Sequence, residues 1–224
     1  MNSTIALPLF PLNTVLFPGQ VLPLHIFEPR YRQMIGQCIE KELPFGVVLI
    51  QEGEEVDERA KPYAVGTTAR ITQAERLDDG RLNIITVGEM RFRIVSLRQE
   101  TEGYLRANVV LWPWLPGDEN KALALAENVR DRLRRYVDML SAASGIPLEV
   151  DDLPEQPTAL ACLAAIALQV TQTEKQNLLA SPSIAALLSK EVSLLRRELR
   201  VLHVMLNSRG RPTDDDAPIV FSDN

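Results

Sequence analysis

The feature that most constrains the fold is a change of sequence pattern at residues 112–118, WPWLPGD. Before this segment, short runs of alternating and β-branched residues are interrupted by prolines and glycines, as is typical of β-strands. After it, apolar residues recur every three or four positions, as is typical of helices. Two prolines and a glycine end any strand here, and Asp118 can cap the helix that follows. The sequence therefore predicts an α+β protein with a domain boundary near Pro116.

The first region, residues 1–116, is expected to contain about seven short strands and one helix. Strands are predicted at 5–12, 20–26, 45–51, 63–77, 81–87, 90–97 and 104–112, and a helix at 30–41. Asp78-Asp79-Gly80 predicts a tight hairpin, because glycine accepts the positive φ that such turns need. Gly88-Glu89 is expected to turn the chain again. Short strands at this spacing favour a small closed or half-closed barrel over an open sheet.

The second region, residues 117–206, is expected to form a helical bundle. Residues 159–168 carry no charge, which predicts a buried central helix. Ser181-Pro182 is the predicted start of the last helix, whose apolar residues follow a 4-3-4-3-4 spacing: Leu188, Val192, Leu195, Leu199, Leu202 and Leu206. We call this apolar stripe the seam, and we expect it to pack inside the bundle. The alternative is that it pairs with a second copy of the chain, so the sequence is compatible with a monomer and with a homodimer. Residues 207–224 are expected to form a disordered acidic tail.

Composition excludes several classes of protein. The 224 residues include 24 basic and 30 acidic side chains, a net charge of −6, so no global basic field is available to hold nucleic acid. Two cysteines, Cys38 and Cys162, and two histidines exclude a disulfide scaffold and argue against a metal site. Neither a signal peptide nor an apolar run of about 20 residues is found. We expect a cytoplasmic protein with no membrane span, no cofactor, and both cysteines packed in the core.

The motifs of common enzyme classes are missing from the sequence. It has no G-x-x-x-x-G-K-[ST], no G-x-G-x-x-G and no G-x-S-x-G. A serine–lysine dyad would need a lysine beside a serine, and Ser189-Lys190 is the one pair close in sequence. Adjacent residues of a helix point apart, so this pair does not predict a dyad. The sequence therefore predicts a protein that is not an enzyme.

Four polar residues are candidates for a structural corner where the second strand meets the first helix. Glu28 and Arg30 flank the predicted helix start, and Arg91 projects from a later strand. A carboxylate–guanidinium pair is expected to fix the helix to the sheet, and an anion site is the alternative. His25 could act as a general base, but a strand histidine hydrogen-bonded to backbone near the corner is favoured.

A long motif makes the family recognisable. Residues 7–35, LPLFPLNTVLFPGQVLPLHIFEPRYRQMI, closely resemble the opening of the N-terminal substrate-recognition domain of Lon proteases. The resemblance continues through 45–50, 65–71 and GEMRFRIV at 88–95, and EKQNLL at 174–179 is similar to an element before that family's long helix. The resemblance covers about residues 7–206. It implies a pseudo-barrel of the PUA-like type followed by a helical bundle, and a stand-alone substrate-binding domain without the family's AAA+ ATPase and serine–lysine protease.

The leading functional hypothesis is a non-catalytic module that binds unfolded or client polypeptide segments. It could also be an adaptor in protein quality control, with a protease or a chaperone as its partner. Such a role needs an exposed apolar patch or an open strand edge, and the proline-rich first strands around Phe10, Phe17 and Pro18 are the predicted edge. Two alternatives from other classes are a hydrolase related to Lon-type peptidases and an RNA-binding PUA-like protein.

Overall fold

The computed structural model describes residues 4–53, 61–115, 117–148 and 152–209. In this part of the chain the strands precede residue 112 and four of the five helices follow it, which confirms the predicted α+β class. The last helix continues through Arg209, so residues 207–209, expected to belong to the tail, are helical. The rest of the predicted tail lies outside the described residues.

Seven strands form the described part of the first half. They are β1 (Ile5–Leu12), β2 (Val21–Ile26), β3 (Phe45–Glu52), β4 (Lys61–Pro62), β5 (Val65–Arg76), β6 (Leu82–Gln99) and β7 (Leu105–Leu111). Strands β1, β7, β6, β5 and β3 pair in that order, and β1 also pairs in parallel with β3, so the five strands close into a barrel. Strand β2 pairs with β6, and β4 with β3. The barrel that the sequence favours is therefore confirmed.

The predicted turn at Gly88-Glu89 is wrong, because β6 runs unbroken for 18 residues from Leu82 to Gln99. Gly88 instead allows a close approach by the loop that follows β1. Its N–H donates to the carbonyl of Gln20 at 2.9 Å, its carbonyl accepts from Gly19 at 2.8 Å, and a Cβ here would lie 2.3 Å from the carbonyl oxygen of Phe17. Glycine is needed at this position for a backbone crossing and not for a turn.

The hairpin predicted at Asp78-Asp79-Gly80 is present and joins β5 to β6. Arg76 faces Leu82 across the two strands. The N–H of Gly80 donates to the carbonyl of Leu77 at 2.9 Å, and Gly80 has a φ of 78°. The glycine therefore takes the left-handed conformation for which the sequence selects it.

Five helices complete the described fold. They are α1 (Pro29–Glu40), α2 (Glu119–Ser144), α3 (Pro157–Ala167), α4 (Gln172–Leu179) and α5 (Ile184–Arg209). Asp118 caps α2, as predicted, by accepting from the backbone N–H of Lys121 at 3.0 Å. None of the five combines the length and the hydropathy that a bilayer-spanning helix requires.

The start of α5 differs from its predicted position. Ser183 is the capping residue, because its hydroxyl accepts from the N–H of Ala186 at 3.3 Å. Ser181 is buried, and its hydroxyl donates to the carbonyl of Asn177 at the end of α4. Leu188 and Leu195 are buried in the same core cluster as the inner face of α2, so the seam packs within the bundle.

The barrel and the bundle share one of the hydrophobic clusters. The barrel has two clusters of its own among the described residues: one joins α1 to the strands and contains Cys38, and the other lies between β1, β3, β6 and β7. The larger cluster is built mostly from helices, but four barrel residues belong to it: Val15, Phe17, Leu49 and Val65. Because both halves bury apolar side chains in the same cluster, separating the barrel from the bundle would expose apolar surface of both to solvent.

The helical core also contains a carboxyl group without a partner. Glu191 on α5 is fully buried, and neither of its oxygens has a hydrogen-bond partner among the described residues. Burial raises the pKa of Glu191 well above its ordinary value. It also raises the pKa of the Cys38 thiol to about 11 and that of the Cys162 thiol to about 12, so both cysteines are core residues with unreactive thiols.

Replacing Glu191 with leucine should change how stability depends on pH. The folded protein keeps the carboxyl protonated at pH values where the unfolded chain releases the proton. Stability is therefore lost as the pH rises from about 4.5 through the folded pKa. We expect Glu191→Leu to raise the free energy of unfolding by about 1–3 kcal/mol at pH 8, and by less at pH 5, in urea titrations. Glu127→Leu, which removes a solvent-exposed carboxylate from α2, is the control and should change the free energy of unfolding by less than about 1 kcal/mol at either pH.

Candidate functional site

A concave apolar surface lies between the barrel and the bundle. We call it the barrel–bundle groove, and its volume is about 540 Å³. The barrel contributes Pro18 and Met90, the connecting segment contributes Trp114 and Leu115, and the helices contribute Leu123 and Ile184. Its lining thus comes from three parts of the chain that the fold brings together.

Large apolar side chains in this groove are exposed to solvent. Met90 is 46% exposed, Leu115 61% and Leu123 54%. Single exposed apolar residues are common on protein surfaces, but several in one concavity mark a place where apolar surface can be buried by binding. The groove therefore has the shape and the chemistry of a recognition surface for apolar groups.

The loop that carries Pro18 is pinned to the barrel. The hydroxyl of Thr67 donates to the carbonyl of Leu16 at 2.6 Å, in addition to the two hydrogen bonds between this loop and Gly88. These contacts hold Pro18, half-buried, beside Met90 on β6. The wall of the groove that comes from the barrel is therefore rigidly placed.

Arg91 lies under the groove and joins the two halves of the protein. Its side chain is buried, with the guanidinium carbon 3.7 Å from the ring centre of Trp114 and 4.6 Å from that of Trp112. Nη1 donates to the carbonyls of Leu179 and, at 2.9 Å, of Ser181, at the C-terminal end of α4. Carbonyls at a helix C-terminus carry partial negative charge, which stabilises a cation there. Burial lowers the pKa of Arg91 to about 10, so it stays charged at neutral pH.

Helix α4 makes two further contacts with the barrel. Nε2 of Gln176 donates to the carbonyl of Val65 at 3.0 Å, and Oε1 of Gln172 accepts from the N–H of Val15 at 3.1 Å. A capping box between Thr171 and Glu174 fixes the start of the helix. The sequence analysis does not predict a helix here, although the Thr-x-x-Glu spacing of Thr171 and Glu174 is a local signal for a helix start.

The predicted edge around Phe10, Phe17 and Pro18 needs correction. Strand β1 pairs with both β3 and β7, so it has no open edge. Phe10 is buried and stacks on Tyr31 at 4.2 Å, and Phe17 is buried in the cluster shared with the helices. Neither phenylalanine side chain is available to a partner. Pro18 alone of the three lines the groove, and its role in peptide binding stays a prediction.

The predicted corner is divided between two places. Glu28 and Arg30 pair at 2.9 Å at the start of α1, and Arg30 lies over the ring of Tyr31. His25 is exposed on β2, where Nδ1 lies 2.7 Å from the side-chain oxygen of Asn83, so its partner is a cross-strand side chain rather than backbone. Arg91 contacts Trp112, Trp114 and the end of α4 instead of this corner.

The described residues offer no ligand set for a metal. Groups of three or more His, Cys, Asp or Glu side chains that could hold an ion are absent from that part of the chain. At the rim of the groove, Glu89 pairs with Arg70 at 2.5 Å and Glu119 is exposed. The exposed apolar lining of the groove supports binding of apolar groups by contact.

Removing the Arg91 side chain should weaken the contact between the two halves. We expect Arg91→Ala to lower the free energy of unfolding by about 2–5 kcal/mol, because two carbonyls lose a buried donor and two tryptophans lose their packing partner. The control is Arg93→Ala. Arg93 is exposed, and its guanidinium carbon lies 4.1 Å from the ring centre of Trp112. Its replacement by alanine should lower the free energy of unfolding by less than about 1 kcal/mol. Equal losses in urea titrations of the two variants would contradict the assignment of Arg91 to the contact.

Comparison with known proteins places this architecture in a family. A family model described as the ATP-dependent protease La (LON) substrate-binding domain matches residues 6–197. Lon protease of Anaeromyxobacter dehalogenans is 30% identical over 88% of this chain and 24% of its own length. Lon protease 2 of Myxococcus xanthus is 31% identical over 88% of this chain and 24% of its own length. The chain thus spans about a quarter of the length of these relatives.

Solved structures show the same fold. The Lon N-terminal domain protein from Xanthomonas campestris is 25% identical, with a TM-score of 0.59 over 84% of this chain and 98% of that one. The N-terminal domain of the Mycobacterium avium complex Lon protease is 18% identical and shares the fold, with a TM-score of 0.64 over 88% of this chain and 98% of that one. The family model covers most of the chain, and the barrel and bundle match these structures. The chain therefore belongs to the LON substrate-binding domain family.

Proposed function

We propose that this protein is a non-catalytic module that binds apolar segments of unfolded or client polypeptides in the barrel–bundle groove. The observation that carries the proposal is the exposure of Met90, Leu115 and Leu123 within one concavity. Membership of a family described as substrate-binding supports it. Phe10 and Phe17 of the predicted edge are buried and play no part in this binding.

The energetics suit reversible binding. Complete burial of an exposed large apolar side chain contributes about 1.5–3 kcal/mol. Met90, Leu115 and Leu123 are 46–61% exposed, so each offers a partner about half of that gain. Part of this gain is offset by the entropy lost when an unfolded segment is ordered. A contact of this kind captures a client and releases it again without a chemical step.

This protein would then have two kinds of partner. One is an unfolded client, and the other is a protease or a chaperone. The relatives named above are Lon proteases, and this chain aligns with about a quarter of their length. We therefore propose an adaptor role in protein quality control, in the cytoplasm, in which the groove holds the client. The role needs no cofactor.

Two features support leaving hydrolysis out of the proposal. Nζ of Lys190 donates to the carbonyl of Asn177 at 2.7 Å, and Ser189 lies exposed on α5. A nucleophilic serine would need that amine, desolvated, within hydrogen-bond reach. Binding of RNA in the barrel–bundle groove is disfavoured because two acidic residues, Glu89 and Glu119, line it and no lysine among the described residues does.

The test uses a reduced and alkylated protein as a fluorescent client, with binding followed by anisotropy. We expect saturable binding that changes little with salt, and weakening of about tenfold for Leu123→Asp, because a charge replaces an apolar contact. Leu43→Asp is the matched control, since Leu43 and Leu123 are both 54% exposed and Leu43 lies outside the groove.

Two results would contradict the proposal. One is the absence of saturable binding by the unmodified protein. The other is equal loss of binding in the two variants while circular dichroism shows both to be folded. Binding that falls steeply with salt would point to an electrostatic mechanism instead.

A further inference from the structure

A second groove, with different chemistry, lies between α2 and α5. We call it the basic groove, and its volume is about 910 Å³. Arg132 and Arg135 of α2 face Arg196 and Arg200 of α5 across it. Two aspartates of α2 also line it, so four positive charges stand against two negative ones in a chain whose net charge is −6.

Most of the positive charge in this groove is uncompensated. Arg135, Arg196 and Arg200 are exposed and make no ion pair with any described residue. Elsewhere on the surface of this protein, exposed arginines such as Arg70 and Arg81 do pair with carboxylates. The basic groove is therefore suited to a ligand that carries negative charge.

The floor of the basic groove is apolar. Met139 and Leu199 are half-buried in it, and Val204 is 64% exposed. A small anion would leave these side chains in contact with water. The combination fits a polypeptide segment that has acidic residues followed or preceded by large apolar ones.

The chain itself contains such a segment next to this groove. Fifteen residues follow Arg209, the last residue of α5, and they include three consecutive aspartates at 214–216 and the apolar run PIVF at 218–221. Arg200 precedes Arg209 by nine residues, or about 14 Å of helix. Asp214 follows Arg209 by five residues, which span up to about 17 Å when extended. The acidic residues are therefore within reach of Arg200 if the chain reverses after the helix.

The sequence between them favours such a reversal. Gly210 directly follows α5, at the position where glycine most often ends a helix, and Pro212 cannot continue one. We propose that residues 214–221 of this chain bind in the basic groove, with the three aspartates beside Arg196 and Arg200 and the apolar run on Met139 and Leu199. The short connection raises the effective concentration of the segment to about the millimolar range, which favours it over the same segment of another molecule.

The experiment uses the full chain with a nitroxide spin label on Ser222→Cys. Cys38 and Cys162 are buried, so the label attaches at 222. We expect paramagnetic loss of the amide NMR signals of Met139 and Leu199, and recovery of both signals in Arg196→Glu/Arg200→Glu. The control, Lys121→Glu/Arg134→Glu, makes the same change of charge at exposed positions of α2 outside the basic groove and should keep the loss.

A mixed sample distinguishes binding within one chain from binding between copies. Protein labelled with ¹⁵N but without the nitroxide is combined with spin-labelled ¹⁴N protein. If the segment binds within its own chain, the amide signals of Met139 and Leu199 should keep their intensity in this mixture. Signal loss in the mixture alone would overturn the proposal in favour of a second copy as the source of the segment. Unchanged signals at Met139 and Leu199 in the spin-labelled chain, or a loss that survives Arg196→Glu/Arg200→Glu, would overturn it as well.

Discussion

The buried guanidinium group of Arg91 links the barrel to the bundle. Arg91 projects from β6, the longest strand, and its Nη1 donates to carbonyls at the end of α4 while the rings of Trp112 and Trp114 cover the guanidinium. Nε and Nη2 have no hydrogen-bond partner among the described residues, so the contacts of Nη1 and the two rings carry the compensation of this charge. A buried charge is costly unless it is hydrogen-bonded, so β6 and α4 can lie only in an arrangement that keeps these contacts. The two halves of the chain are therefore fixed relative to each other at this point.

The barrel–bundle groove is a consequence of that arrangement. Arg91 and Trp114 form its base, while Met90 and Leu123 stand on opposite walls. The walls are separately braced, on one side by the crossing of the Pro18 loop over Gly88 and on the other by the cap of α2 at Asp118. A surface built in this way is present before a partner arrives, so binding does not have to spend free energy on forming it.

Sequence reasoning predicted the elements better than their contacts. The spacing of apolar residues and the turn at Asp78-Asp79-Gly80 predict most of the strands and helices, because those signals are local. The sequence predicts a turn at Gly88 because a glycine at a turn and a glycine at a backbone crossing look alike in one sequence. It predicts Arg91 at the corner with Glu28 because nothing local shows that a strand arginine will meet a helix 88 residues later. It predicts Phe17 at an exposed edge for the same reason, since the burial of Phe17 depends on helices from the second half.

Arg91 and the shared cluster join the barrel and the bundle, and we expect them to make the two halves one cooperative unit. Native-state hydrogen exchange can test this cooperativity by comparing the opening free energies of core amides in β3 of the barrel and in α3 of the bundle. The slowest amides of the two elements should open with the same free energy and respond equally to low concentrations of denaturant. A bundle that opens at a much lower free energy than the barrel would contradict this expectation.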